Sequence, residues 1–565
     1  MKFKLLIPLC CMLLMLPVAA TNASDQFDLL LKNGRVFDGS GNPWFKADVG
    51  VRDGRIVALS RAGLTGTADQ ILDVTGSVVA PGFIDLHSHA DDFSGAQTGL
   101  RSEALSRRQA VNIVSQGVTT IVVNPDGSAP PGLSIGAQAR ALMDPGVGVN
   151  VILMAGHNAI RYEVMGDDHQ RPASAQEILA MGERVSIAMR QGAFGLSSGL
   201  EYPPGRYSET EELVSLMRVV GNSGGIHISH IRSETSAPMW WVPSQDEPSP
   251  PQLLDGTAEI IRIAEQTHTV GVITHMKVRG TTHWGQGLNV IELVEAARAR
   301  GVQIYGDQYP YQSSGSDGAL VLIPRWAIHV DGPDPDFAAA LAKTLAEPGN
   351  RELVDFDIKH SIAFRGGAKN IVVFDHPQED FVGENLYDLA RRFRLSEVDM
   401  ALKLQFEGYK DRPGGVRLRS FSLAEADMEA LMQRPWVATA SDGGVAIPID
   451  GPTVHARYYG TFPRKIAHYV RKRGALGLAH AIRAGTSLPA QILGLDNRGV
   501  IRVGAVADLI VFNPDTFEDR ATFQSPHQTS TGLEHVWIAG KPAVHKGQPT
   551  KLLLGRVLTK SGQGR

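Results

Sequence analysis

"PGFIDLHSHADD", residues 81–92, sets two histidines one residue apart at the end of an apolar run and follows them with two aspartates. In an extended strand alternate side chains share a face, so His87 and His89 point the same way while Ser88 turns away. Two imidazoles on one face are half of a metal site, placed where a buried strand gives way to a loop. The missing ligands have to come from elsewhere in the chain.

From about residue 83 onward, apolar strand-like runs alternate with amphipathic helical stretches. That rhythm implies a parallel sheet, and this many units imply a barrel. The candidate strands are "GFIDLHSH", "GVTTIVVN", "VNVILMAGH", "AFGLSSG", "GIHISHIR", "VGVITHMK", "VQIYGDQYPY" and "WVATASDGG", with helical windows at 175–191, 209–221, 253–267 and 288–300. The stretch from 324 to 434 is too long for a plain connection and predicts an inserted helical subdomain before the eighth strand. On either side of the barrel lie β-like segments: short alternating runs between Gly and Asp turns over 28–82, and "RGVIRVGAVADLIVFNP" with "LEHVWIAGKPAVHKG" near the other end. The second group is expected to complete the unit begun by the first.

With 565 residues the chain can bury a large core, and 43% hydrophobic and 20% charged residues mark it as globular. A net charge of −4 offers no basic surface for phosphate backbones, so nucleic acid is not an expected partner. The start, "MKFKLLIPLCCMLLMLPVAATNASD", carries Lys2 and Lys4, an apolar stretch and then small residues, and reads as a signal peptide for a secreted, periplasmic protein. No later segment reaches the length of a membrane span. Both cysteines, Cys10 and Cys11, fall in that leader, so any metal must be held by histidines and carboxylates.

The strand ends carry the chemistry. The first ends in His87 and His89, the second in Asn124 and Asp126, the third in His157, the fifth in His230, the sixth in His275 with Lys277, the seventh in Asp307 and Tyr309, and the eighth in Asp442. All eight C-terminal ends of a parallel barrel open on one face, so residues hundreds apart in sequence can converge there.

These motifs carry a resemblance. "PGFIDLHSHADD", "GVTTIVV", "GLSSGLEYPPG", "ISHIRSE", "ITHMKV", "DQYPY", "ASDGG", "HARYYGTFPR" and "SLPAQILGLDNRGVIRVGAVADLIVF" resemble the amidohydrolase superfamily, and within it the N-acyl-D-amino-acid deacylase (D-aminoacylase) family, over residues 28 to about 545. The resemblance implies an α/β fold: a metal-dependent, TIM-like (β/α)8 barrel with a small β-sandwich built from both chain ends and the inserted subdomain. The expected division is a signal peptide at 1–23, sandwich at 24–82, barrel strands one to seven at 83–323, insertion at 324–434, eighth strand and closing helices at 435–495, and sandwich plus tail at 496–565.

Carried over position by position, the resemblance makes His87 and His89 the first metal pair, His230 and His275 the second pair, and Asp442 both a ligand and the catalytic carboxylate. The family often has a cysteine after the second strand, and here "VVNPDGS" puts Asp126 in its place, as a ligand, a bridge or a turn residue. The expected cofactor is a divalent metal, zinc foremost, as one ion or two. Such an ion acidifies a bound water and polarises an amide carbonyl, and Asp442 would take the water's proton and hand it to the leaving amine.

For the substrate carboxylate the resemblance nominates Lys277, Tyr309 and Arg457. Lys277, two residues beyond His275, would share its strand face. His157 and Glu201 sit at pocket-like ends without an assigned role, and the Pro-rich loop with Trp240 and Trp241 reads as a lid or as an irregular surface loop. The implied activity is hydrolysis of small N-acyl-D-amino acids or related D-configured amides. The alternatives are a dipeptidase or cyclic amidase of the same superfamily, and a non-catalytic periplasmic binding protein, which would have no need of a proton shuttle.

Overall fold

The computed structural model describes residues 26–91, 99–315, 320–330 and 334–560. The leader read at 1–23 and Asp92, the second aspartate after the histidine pair, lie outside the described residues. Among the described residues no helix is long and apolar enough to cross a membrane.

Eight short parallel strands follow one another as Phe83–Asp85, Val118–Val123, Asn150–Leu153 with its continuation Ala155–Gly156, Gly195–Gly199, Ile226–His230, Val270–Ile273, Ile304–Gln308 and Val437–Thr439. Nearly every residue in them is buried, as in sheets covered by helices on one side and filled on the other. Helices Ala175–Arg190, Thr210–Gly221, Leu253–Thr267 and Gly287–Ala299 lie within two residues of the windows read from sequence. The first of them opens with a capping box between Ser174 and Glu177, which satisfies backbone donors at its start.

The ring closes at the chemically loaded ends. Ser88 pairs in parallel with Gly443, the His89 backbone N–H donates to Gly443 O at 2.8 Å, and the Asp442 N–H donates to His87 O at 3.0 Å. The residues nominated at the first and eighth strands are therefore held against each other by backbone.

Between the third and fourth strands the ring takes in a foreign piece. Only Ala155–Gly156 pairs with the fourth strand, while Val557–Leu558 pairs in parallel with Val151 and Ile152. Val151 N–H donates to Arg556 O at 2.9 Å and Gly555 N–H to Val147 O at 2.8 Å. A Cβ on Gly555 would lie 1.9 Å from Val149 O, so only glycine lets the segment in. The sequence places this segment in the tail; the structure makes it part of the barrel wall, covering an edge the third strand would otherwise expose.

Both chain ends build one nine-stranded sheet, in which Leu509–Phe512 pairs antiparallel with Val78–Pro81. Alternation sorts its two faces. Val79, Leu509 and Val511 join Leu29, Val49 and Trp537 in the sheet's own core, while Val78, Ala80, Ile510 and Phe512 pack into the barrel core.

The insertion has a separate core running from Leu320 to Leu418. It is made of helices Phe337–Ala346, Asn350–Phe364, Leu386–Phe393 and Glu397–Glu407 plus a ribbon of Ile371–Asp375 against Arg417–Ser420. Asp336, Asn385 and Ser396 cap three of these helices with their side chains. Helix Glu425–Met432 already returns to the barrel, with Leu431 in the barrel core, so the separate unit ends short of residue 434.

Candidate active site

The first, second, fifth, sixth, seventh and eighth strands stop at or within three residues of a candidate site residue, and several of these residues sit at sharp backbone turns. Asn124, Asp126, His275 and Asp442 all lie in the left-handed region, with φ of 60°, 52°, 36° and 49°. For residues with a Cβ this conformation costs free energy and persists where surrounding structure imposes it, which is typical of functional sites. Asp126 sits in a Pro-Asp-Gly turn closed by the Ser128 N–H donating to Pro125 O at 2.8 Å. The turn and ligand readings of Asp126 are thus compatible: the turn aims the carboxylate inward.

Four imidazoles and two carboxylates converge. His87 Nε2 is 3.3 Å from His89 Nε2, 3.5 Å from Asp442 Oδ1 and 3.7 Å from Asp126 Oδ1. His89 Nε2 lies 3.0 Å from Asp442 Oδ1 and 3.6 Å from Asp126 Oδ2. On the other side, His230 Nδ1 and His275 Nε2 are 2.9 Å apart, and Asp126 Oδ1 is 3.9 Å and 3.5 Å from them. Ligands at about 2.0–2.2 Å from a tetrahedral ion stand roughly 3.3–3.6 Å from one another, so this spacing suits a shared cation. Asp126 Oδ1 is buried without a hydrogen-bond partner, yet three imidazole nitrogens surround it. That orphaned atom between two histidine pairs fits a metal, and its position fits a bridge.

The outward nitrogens are held as metal-binding histidines require. His87 Nδ1 is 2.6 Å from Thr274 Oγ1, which donates to Asp307 Oδ2 at 2.8 Å. His230 Nε2 is 2.8 Å from Glu201 Oε2, and His275 Nδ1 is 3.1 Å from Glu234 Oε1. Arg279, stacked 4.4 Å over Phe364 of the insertion, lies 3.5 Å from Glu201 and 3.6 Å from Glu234. Glu201 thus holds His230, and Glu234, Thr274 and Arg279 join the site without a signal in the sequence pattern. Glu234 closes the motif "ISHIRSE", but nothing local says that it faces the next strand's histidine.

Electrostatics favour the ligand forms of His87, Asp126 and Asp442, whereas at His275 burial and Lys277 are outweighed by the Asp126 and Glu234 carboxylates, which push that imidazole up to about 9. Burial pushes the His87 imidazole down to about 3, which keeps it neutral and able to bind metal. Burial works to raise Asp126, but the His87, His275 and His230 rings hold it well below the usual carboxylate range. Asp442 is likewise opposed by burial and held well below that range, chiefly by the Arg457 guanidinium.

The trio nominated for substrate does come together. The Tyr309 ring lies beneath both cations, 5.7 Å from Lys277 Nζ and 4.8 Å from the Arg457 guanidinium carbon. Both cations also hold carboxylates of this chain: Lys277 donates to Glu234 at 2.5 Å, and Arg457 lies 2.9 Å from Asp442 Oδ2. Tyr309 Oη and Arg457 Nε are buried without hydrogen-bond partners. His157 does not join the cluster; its Nε2 is 2.7 Å from Glu212, a carboxylate shared with Arg161. Trp241 packs edge-on against His360 of the insertion at 5.2 Å, and the Met239 N–H donates to Glu201, so this loop links the insertion to the centre.

A cavity of about 910 Å³ opens beside the centre, touching it at His89, Asp126 and Tyr202, whose ring lies 4.4 Å from that of His230.

A family model described as "Amidohydrolase family" matches residues 380–544. The chain is 31% identical over 554 residues to an N-acyl-D-glutamate deacylase of Alcaligenes xylosoxydans xylosoxydans, covering 94% of this chain and 97% of that protein. A D-aminoacylase of the same organism is 31% identical over 559 residues, covering 95% and 99%. Among solved structures, N-acyl-D-glutamate deacylase from Bordetella bronchiseptica, complexed with zinc and a phosphonate mimic of the reaction's tetrahedral intermediate, superposes with a TM-score of 0.70 at 28% identity, over 94% of this chain and all of that one.

Proposed function

The chain belongs to the N-acyl-D-amino-acid deacylase (D-aminoacylase) family of the amidohydrolase superfamily and is a hydrolase of amide C–N bonds, and from that premise we propose that it cleaves N-acyl-D-amino acids to a carboxylate and a free D-amino acid. The observation that carries this reading is Asp126 Oδ1, buried and orphaned between two histidine pairs at the barrel mouth.

His87, His89, Asp126, His230, His275 and Asp442 would hold a divalent metal, with zinc the ion bound by the Bordetella bronchiseptica relative. When bound, such an ion polarises the amide carbonyl and acidifies the attacking water. The chain's own residues do the rest. Asp442, ionised and set among the ligands, takes a proton from that water and returns it to the leaving nitrogen as the C–N bond breaks; water's oxygen ends on the acyl carbon. Arg457 fixes the orientation of Asp442 through Oδ2, leaving Oδ1 toward the histidines. Lys277, Tyr309 and Arg457 receive the substrate's α-carboxylate, which fixes the scissile amide from one side and makes the pocket sensitive to configuration at the α-carbon.

Export is proposed on the sequence of residues 1–23 alone: Lys2 and Lys4 followed by an apolar run. The deciding test of function is a panel of N-acyl-D- and L-amino acids, dipeptides and hydantoins with the purified, metal-loaded protein. Turnover of the D-configured linear amides is expected, and turnover confined to hydantoins or dipeptides would replace the reading with a cyclic amidase or dipeptidase.

A further inference from the structure

We propose that the cavity leaving the centre at Asp126 seats a long hydrocarbon acyl chain, so that the favoured substrates are D-amino acids acylated with medium- or long-chain fatty acids. This rests on the deacylase reading and specifies its acyl half.

The cavity meets the centre at His89, Asp126 and Tyr202, and Lys277, Tyr309 and Arg457 are not among its lining. With the α-carboxylate held by that trio, the acyl group lies across the scissile bond from it, and the side chain stays on the carboxylate-bearing half. The acyl group is therefore the part that points into the cavity. An acetyl or formyl group would occupy a small fraction of about 910 Å³, a volume in the range of pockets for much larger ligands.

Several polar side chains of the lining are engaged within the protein. Gln138 accepts from Asn124 and donates to Leu133 O, Asn158 bonds both backbone groups of Gly199, and Gln191 accepts from the Gly136 N–H. Farther out, Glu163 pairs with Arg184 at 3.4 Å and Tyr162 donates to Asp167. With these side chains engaged within the protein, the cavity has little to offer a peptidyl or sugar-like acyl group, which would lose hydrogen bonds to water on entering. Pro130, Leu133, Ile135, Ile160, Ile187 and Ala188 supply an apolar surface instead. At the outer end Leu133, Tyr162 and Ile187 remain 37%, 51% and 37% exposed, an apolar run that a chain end would cover.

The test compares acetyl, hexanoyl and decanoyl derivatives of one D-amino acid. Burial of methylenes predicts a rise in kcat/KM of about threefold to fourfold per buried CH₂, and at least roughly 30-fold from acetyl to decanoyl. Ile187→Asp at the exposed end and Ala159→Trp in the wall should lower decanoyl turnover about tenfold and leave acetyl turnover within about twofold. Calorimetry of the full protein with decanoate should show binding that Ile187→Asp weakens, a readout independent of turnover. A flat chain-length profile with an active acetyl substrate would overturn the acyl seat and leave the deacylase reading standing. So would a gain that follows a lengthened side chain on an N-acetyl substrate. Failure to cleave any N-acyl-D-amino acid would overturn the deacylase reading and this inference with it.

Discussion

The Arg457 guanidinium lies 2.9 Å from Asp442 Oδ2, so the proposed proton carrier is also the partner of a proposed substrate anchor. One carboxylate oxygen is turned to the histidines and the other to the cation. This coupling shapes the mutational behaviour expected of the centre.

Asp442→Asn retains shape but cannot accept a proton. Its turnover should fall by about 10² to 10⁴-fold, with circular dichroism and thermal midpoint near those of the parent. Retention of more than about a tenth of the parent's turnover would move the proton transfer to another group.

Arg457→Ala removes the charge-assisted hydrogen bond proposed to the substrate's α-carboxylate, worth about 1.5–3 kcal/mol, and should reduce kcat/KM roughly 10- to 150-fold. Because Arg457 also orients Asp442, the loss should appear in kcat as well as KM. Arg457→Lys should remain impaired, since a point charge cannot replace the planar fork. If converting the substrate's carboxylate to an amide lowered the activity of parent and Arg457→Ala equally, the anchor role would be refuted.

Asp126 stands between the two histidine pairs, with Oδ1 3.7 Å from His87 and 3.5 Å from His275. Asp126→Ala should therefore reduce metal content by about one ion per chain in elemental analysis and depress activity with it. Unchanged stoichiometry would confine Asp126 to its turn.

Lys465, buried and donating to Thr439 Oγ1 at 2.8 Å, is pushed down to about 7 by burial. Its folded-state value lies below the unfolded one of about 10.4. The unfolded chain therefore binds more protons between these values, and stability rises with pH across that window. Lys465→Met should stabilise the protein by up to a few kcal/mol near pH 7 and by little near pH 10. Thermal midpoints at the two pH values measure the difference; equal shifts would mean that the lysine is not charged at a cost when buried.

Deleting residues 553–565 removes the strand that pairs with Val151 and Ile152 and exposes that edge. A lower thermal midpoint and concentration-dependent aggregation are expected by scanning calorimetry and light scattering. Gly555→Val should reproduce the effect without shortening the chain, because its Cβ would collide with Val149 O.

What the sequence determined by itself follows from local geometry. Alternation along a strand put His87 and His89 on one face, and the recurrence of apolar runs and helical windows laid out the barrel with its loaded strand ends. Those patterns are written within a few residues of backbone, so they are legible without the fold. Only the tertiary structure decided which groups meet. Glu201 reaches His230 and Glu234 reaches His275 across different strand ends, and Arg457 closes on Asp442. His157, at a strand end like the others, goes instead to Glu212. Val557–Leu558 is too short to carry a period, yet it completes the barrel wall. Such pairings depend on left-handed turns at Asp126, His275 and Asp442 and on the closing of the ring, which sum contributions from the whole chain and leave no local signal.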